Sequence, residues 1–345
     1  MTKEDFMFPG TESLSPRAAV QYMATVYFVS HAVRTMAELG IADHLGSGSQ
    51  TPAELAELSG SHAPTLARFL RTLTGLGLCA TENGRVRLTL LGELLRSDTP
   101  ASMHAFALAI AAPHMGRAWD ELSEAVTTGE ATFPRAHGLA FWDYLSVHSD
   151  EGRLFDEAMS GAAVIRANAL LTTVDLSAVG TLVDVGGGQG RLLMAALETF
   201  PDLRGVLFDR PEVIPGAEAT FTDTGVSDRC TLVSGDFFMC VPGGGDAYVL
   251  AQILHDWSDQ EATVILQSCH RAMQPEARLW IVEQVIEPGD AFDRAKLIDL
   301  HMLVLFGAQE RTADEYHSLL EAAGFGQVRV LMTDTPWSII EAVRL

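Results

Sequence analysis

The sequence predicts an α/β protein. A doubly wound, mostly parallel sheet fills residues 176–345, ends in an antiparallel C-terminal hairpin, and follows a largely helical N-terminal part. Three observations predict this. From residue 180 short apolar runs alternate with helical stretches, the texture of βα units. The apolar run "TLVDV" breaks into "GGGQG" and resumes as a helix-like pattern in "RLLMAAL". At the end, "GQVRVLMT" and "WSIIEAVRL" are separated only by a short turn, so they should pair antiparallel.

Composition bounds the reading. The chain has 345 residues, 48% of them hydrophobic, which suffices for a large core and suggests more than one domain. Lys plus Arg number 23 against 45 Asp plus Glu, a formal charge of −22. Such a chain is repelled by a phosphate backbone, so no nucleic-acid partner is expected. Cys79, Cys230, Cys240 and Cys269 form no CxxC pair, which argues against a zinc cluster and for a reducing, cytoplasmic setting. The opening "MTKEDFMFPG" has no basic region followed by an apolar core, so no signal peptide is expected. The longest apolar stretch is interrupted by Gln21, His31, Arg34 and Glu38 and is too polar to span a bilayer. No membrane partner is expected.

Taken in order, residues 17–45 read as one or two helices, apolar on more than one face, which need cover on every side. "TPAELAELSG" opens with a capping box, Thr51 and Glu54 around Pro52, and stops at Gly60. A second helix follows in "APTLARFLRTLTGLGL". Asn83-Gly84 then marks a type I′ turn between short strands. Helix, turn, helix and β-wing make a winged-helix-like pattern over residues 1–100. The second helix offers only Arg68 and Arg71 as cations and the whole chain is acidic, so a structural or dimerisation role outweighs DNA binding by a small-molecule-sensing regulator. Residues 101–175 are mostly helical and rich in Met and aromatics, among them Trp142 and Met159. These are candidates to line an apolar pocket. The strands of residues 176–345 are expected at 181–186, 205–209, 231–235, 247–252 and 279–285.

The glycine loop is a GxGxG variant, Gly186, Gly188 and Gly190. It lacks the sixth-position glycine of the dinucleotide fingerprint and the Gly-Lys-Ser/Thr of a phosphate loop. Bare backbone without the pyrophosphate fingerprint points to a nucleoside ligand lacking those phosphates. Asp209 ends the next strand and suits ribose hydroxyls. Asp236 follows the third strand and suits an exocyclic amine. Asp184 and Arg210 flank these positions and join the candidate set.

"VLAQILHDWSDQE" reads as strand, break, helix, which puts His255 just past a strand's carboxyl end, where ligands bind in such sheets. An imidazole there can take a proton near neutral pH. Glu283, at the end of the next strand, and Glu310, before the next helix, could each hold one face or edge of the ring. Asp256 and Asp259 are the residues that could join His255 on a metal, but no further ligand cluster supports one, and none is expected.

Together "LVDVGGGQG", "FDRPEVI", "GDFF", "LHDWSD" and "ERT", in that order, resemble the S-adenosylmethionine-dependent O-methyltransferases of the plant caffeic acid/flavonoid type and their bacterial natural-product relatives. The resemblance covers nearly the whole chain. It implies a Rossmann-like sheet and a homodimer through interlocked N-terminal helices, with S-adenosylmethionine as cofactor. It implies that the glycine loop approaches the methionine part, Asp209 holds the ribose, Asp236 and Phe237 frame the adenine, and Trp257 packs against the cofactor. His255 matches the general base and Glu283 and Glu310 its acidic flanks. Asp256 and Met302 match positions near the methyl acceptor, and Phe306, Trp142 and Met159 join them as candidates for a flat hydroxylated ring. One departure is visible: many members carry a lysine where this chain has Ala251. On ordinary pKa values, moving a phenol proton to His is uphill by about 5 kcal/mol. Proton removal is therefore expected as the new bond forms. Related bacterial proteins that hydroxylate or decarboxylate polyketides supply the alternative chemistry.

Overall fold

A computed structural model describes residues 10, 13–99, 102–222 and 224–345. They form two compact units. One contains the chain up to Arg117 together with Tyr144–Gly161; the other contains Ala118–Asp143 and Ala162–Leu345.

In the first unit the N-terminal region forms three helices, Pro16–Thr25, Tyr27–Glu38 and Ile41–Leu45, rather than one or two. Gly40 adopts φ +60° and turns the chain out of the second, a conformation that suits glycine. Met36 and Ala37 are buried, but Val20, Tyr22, Met23, Tyr27 and Phe28 are exposed. The first two helices thus carry an apolar face that the described residues leave uncovered.

Thr51 and Glu54 form the reciprocal capping box of helix Pro52–Leu58. Helix Ala63–Gly75 follows. Its Leu66, Leu70 and Leu73 pack with Met36, Ile41 and Leu55. Strands β1 (Cys79–Glu82) and β2 (Arg85–Leu88) pair antiparallel with Glu82 opposite Arg85. Asn83 and Gly84 both have positive φ, +50° and +77°, as a type I′ turn requires.

The second unit is built on a seven-stranded sheet. Its strands are β3 (Thr181–Val185), β4 (Arg204–Asp209), β5 (Cys230–Ser234), β6 (Ala247–Ala251), β7 (Arg278–Glu283), β10 (Phe325–Leu331) and β11 (Ser338–Arg344). A separate short pair is β8 (Val285–Ile286) with β9 (Arg311–Thr312). The order is β10-β11-β7-β6-β3-β4-β5. Strands β3 to β7 run parallel, and β11 lies antiparallel to both β7 and β10. Helices Arg191–Thr199, Ile214–Thr222 and Asp259–Ala272 make the crossovers. One apolar cluster lies around Leu250, Ile265, Leu279 and Tyr316, and a second around Leu182, Leu193, Trp280 and Ile339. Because both faces are covered, β6 and β7 read as continuous apolar runs.

This strand order positions the site. Strand β3 neighbours both β4 and β6, so successive crossovers leave it in opposite directions. A crevice opens at such a switch point, at the carboxyl ends of the strands. Gly186, Asp209, Asp236 and His255 all follow or end strands at that edge. Among the described residues no helix is long and apolar enough to cross a membrane.

Candidate active site

Strand β6 ends at Ala251, and Gln252 follows with φ +56°. The chain passes through the 3-10 turn Leu254–Asp256 before Ser258 and Glu261 cap helix Asp259–Ala272 with a second capping box. The turn places His255 in the interior at 5% exposure. His255 Nδ1 and Glu310 Oε1 are 2.8 Å apart, and Glu283 Oε2 is 3.7 Å from the same nitrogen. The other ring nitrogen, Nε2, is 3.3 Å from Asp256 Oδ1. Both glutamates therefore lie nearest Nδ1, Glu310 through a direct hydrogen bond and Glu283 at longer range. The unexpected β8–β9 pairing draws the segments that follow Glu283 and Glu310 side by side.

The turn is held at several points. Glu283 Oε1 accepts the N–H groups of Ile253 and Leu254, each at 3.0 Å. Asp299 Oδ1 accepts the Glu310 N–H at 2.9 Å. Arg311, fully buried, donates to the carbonyls of Leu254 and Trp257 at 2.8 Å and to Asp259 Oδ1 at 2.9 Å.

The electrostatics follow from this enclosure. Burial by itself disfavours the imidazolium, but Glu283, Glu310 and Asp256 outweigh it and push the His255 pKa up to about 10. Burial pushes Glu283 up to about 7 and Asp256 up to about 6, against the pull of His255. These groups share protons and titrate together. Donor atoms of His255, Glu283 and Glu310 all lie within 4.8 Å of one another, a spacing a metal ion could also use. The direct 2.8 Å contact makes His255 and Glu310 a hydrogen-bonded pair here.

The glycine loop lies beside this turn. Gly186 adopts φ +71°, a conformation that favours glycine, and a methyl group there would stand 2.5 Å from Ile253 Cδ1, so Ile253 would have to shift. Gly188 has φ +59° with nothing within 4 Å of a Cβ placed there: its backbone is bared to open space. Asp209 Oδ2 accepts the Gly188 N–H and Oδ1 the Arg210 N–H, both at 2.7 Å. Asp184 is buried in β3 beneath the loop. Burial, with Asp209 nearby, pushes its pKa up to about 7 while Arg166 opposes. Asp236 is exposed and accepts the Phe238 N–H at 2.9 Å, so one of its oxygens also serves as a turn cap. Phe237, Phe238 and Trp257 meet edge to face, with centroids 4.7 to 5.9 Å apart. A nucleoside fits this edge: it offers bared backbone, a carboxylate at a strand end and aromatic surface.

On the acceptor side, Trp142 stacks on Phe306 at 5.7 Å, and the Arg210 guanidinium lies 5.6 Å from the Trp142 ring. The structure thus joins two acceptor candidates to a cofactor candidate. Met302 is buried one turn before Phe306 on helix Arg294–Phe306. Met159 belongs to the first unit, on the long helix Ser149–Thr173.

Three residues were missed by sequence reading. Arg311 could have been singled out as the cation inside "ERT", next to Glu310. Arg166 bonds Gln252 Oε1 and lies over the Trp337 ring. It brings a buried cation beside the position where Ala251 supplies none. His301, one residue before Met302, accepts the Trp119 indole N–H at 2.9 Å on Nδ1.

Residues 119–326 match the O-methyltransferase domain family, and residues 21–98 match the O-methyltransferase dimerisation domain. The dimerisation match supports the expected homodimer. Phenazine O-methyltransferase of Lysobacter antibioticus is 43% identical over 321 residues, covering 93% of this chain and 94% of that protein. Mitomycin biosynthesis 6-O-methyltransferase of Streptomyces lavendulae is 36% identical, with 88% and 87% covered. Aclacinomycin 10-hydroxylase of Streptomyces purpurascens is also 36% identical, over 85% of this chain and 80% of that one. The crystal structure of LaPhzM superposes with a TM-score of 0.91 at 41% identity, covering 96% of this chain and all 100% of the other. A methyltransferase of calicheamicin biosynthesis, bound to S-adenosylhomocysteine, gives 0.86 at 34% identity with 96% and 99% covered. With this sheet, this loop and these relatives, the chain belongs to the S-adenosylmethionine-dependent O-methyltransferases.

Proposed function

We propose that the chain methylates a hydroxyl group of an aromatic small molecule of the natural-product kind, with His255 as general base. One observation carries the base assignment. The buried His255 ring is anchored through Nδ1 on Glu310 and stands at the carboxyl end of β6, beside the glycine loop. The acceptor class follows from the phenazine and mitomycin relatives and from the aromatic surface of Trp142 and Phe306.

S-adenosylmethionine supplies a methyl group already made electrophilic by a sulfonium, so the protein's task is alignment and proton removal. Gly186 and Gly188 give backbone access, and Asp184 lies beneath them. Asp209 and Arg210 would hold the ribose end. Asp236, Phe237 and Trp257 would frame the adenine, and Arg166 would bring positive charge to the neighbourhood of Ala251. Met302, Phe306 and Trp142, with Asp256, would line the acceptor.

The proton path is short. Glu310 holds a proton on His255 Nδ1, which keeps Nε2 as the accepting nitrogen of the neutral ring. The acceptor's hydroxyl proton passes to Nε2, and Glu283, Glu310 and Asp256 stabilise the imidazolium that results. At a pKa of about 10, His255 is matched to a phenol. The transfer from phenol to His255 is then nearly level, and at neutral pH a cost of about 4 kcal/mol moves to freeing Nε2 of its proton.

The hydroxylase relative favours one second reading, oxygen insertion on the same scaffold. The presence of His255 together with Glu283 and Glu310 supports methylation. The four free cysteines suit the cytoplasm. Incubation with S-adenosylmethionine and a panel of hydroxyphenazines and hydroxynaphthoates, read by mass spectrometry, tests the reading. A product heavier by one methylene supports it. A gain of one oxygen, or no product across the panel, counts against it.

A further inference from the structure

Helix Arg294–Phe306 packs against the turn that carries His255, and it presents a second imidazole, His301. The Trp119 indole N–H donates to His301 Nδ1 at 2.9 Å, with the two rings nearly coplanar at 19°. An indole nitrogen can only donate, so Nδ1 must accept and the neutral ring must carry its proton on Nε2. Burial, together with the charges of His255 and Arg294, pushes the His301 pKa down to about 4. The ring therefore stays neutral across the working pH range. Nε2 is a fixed donor. It takes no hydrogen bond among the described residues, and it is not sealed away, since the ring is only half-buried.

The site thus contains two imidazoles of opposite polarity. His255, once Nε2 has lost its proton, offers an accepting nitrogen for a hydroxyl proton. His301 offers a donating N–H, and Trp119 prevents it from reversing that role. The geometry points to His301 as a specificity-determining residue that donates from Nε2 to a hydrogen-bond acceptor atom of the methyl acceptor, such as a ring nitrogen or carbonyl oxygen. This inference rests on the acceptor binding beside His255. The substrate class narrows to aromatic hydroxy compounds that also carry a heteroatom lone pair on the ring system. A plain phenol leaves the His301 donor without its partner, and an unpaired donor in an enclosed site is costly.

The test measures binding to the homodimer saturated with S-adenosylhomocysteine, so it does not depend on turnover. The probes are the 5-, 6-, 7- and 8-hydroxyquinolines against 1- and 2-naphthol, which have the same shape but differ by one ring nitrogen. The expected result is that at least one hydroxyquinoline binds about fivefold or more tighter than its matched naphthol. His301→Phe should abolish that gap. His301→Gln keeps an amide donor near the Nε2 position and should retain much of the gap. Trp119→Phe leaves the imidazole but frees its tautomer, and should shrink the gap in part. No gap in the unmodified protein, no binding of any probe, or a gap that survives His301→Phe would overturn the assignment. Tight, His301-dependent hydroxyquinoline binding without methyl transfer would leave the subsite standing and remove the methylation reading.

Discussion

Glu310 Oε1 and His255 Nδ1 lie 2.8 Å apart with both side chains buried, so the imidazole is oriented through one nitrogen while the other faces Asp256. Glu310→Gln keeps the volume but removes the charge, and its amide can present a donor to Nδ1, which favours the wrong tautomer. Turnover should fall by about 10² to 10⁴ while affinity for S-adenosylhomocysteine changes little. Steady-state kinetics with calorimetry on the same preparation checks this. A variant with unaltered turnover would remove Glu310 from the mechanism.

The raised His255 pKa sets the pH dependence. At neutral pH the free protein carries the imidazolium, and the productive complex has one proton fewer than imidazolium plus neutral phenol. For an acceptor of ordinary acidity, kcat/KM should therefore climb with pH and level off only near pH 10. An unperturbed histidine would give a plateau above about pH 7. A pH profile with a simple hydroxynaphthoate distinguishes the two. The same shift acts on stability. The folded chain holds this proton up to about pH 10, whereas the unfolded chain loses it near 6.5. The contribution of His255 is complete below about pH 6.5 and is lost as pH rises toward 10. Burial raises Glu283 and Asp256, and each loses stability between its ordinary carboxylate pKa and its raised value of about 7 or 6.

Arg311 ties the turn to the helix that follows it. Its guanidinium bonds two carbonyls and Asp259 from a fully buried position. Arg311→Leu leaves those carbonyls unpaired and removes a cation that acts on Glu283. The expected loss is about 3 to 5 kcal/mol of unfolding free energy. Denaturant unfolding checks it, and a loss below 1 kcal/mol would show that the clamp is dispensable.

The glycine loop separates cofactor binding from folding. Gly188→Ala puts a methyl into open space at φ +59°, so folding should suffer by only about 1 to 2 kcal/mol. Calorimetry should show a loss of S-adenosylhomocysteine affinity on the order of a hundredfold or more if the proposed cofactor site is right, because the methyl would project into it. Asp209→Asn, which removes the carboxylate next to Gly188, should weaken the same binding without altering the pH profile.

Much of this arrangement was legible in the sequence because parallel sheets confine function to one edge. Once the alternating runs are read as strands, Gly186, Asp209, Asp236, His255 and Glu283 all fall at carboxyl ends. Asn83-Gly84 and the Thr51–Glu54 box were equally legible, since their geometry is decided within four residues. What escaped depends on residues distant in sequence. The two-residue pairing of β8 with β9 is too short to carry a pattern, yet it draws together the segments that follow Glu283 and Glu310, both of which lie nearest His255 Nδ1. Arg166 is drawn to Gln252 across 86 positions and His301 to Trp119 across 182, and no local spacing signals either. The elevated His255 pKa is a sum over Glu283, Glu310 and Asp256 that only the folded arrangement makes.

The most direct measurement is single-turnover methyl transfer by His255→Ala, with S-adenosylhomocysteine affinity determined on the same sample. The expected result is a rate lowered by about 10² to 10⁴ with affinity within a fewfold of the parent protein. An unchanged transfer rate, or a rate loss matched by an equal loss of cofactor affinity, would contradict the assignment of His255 as the base.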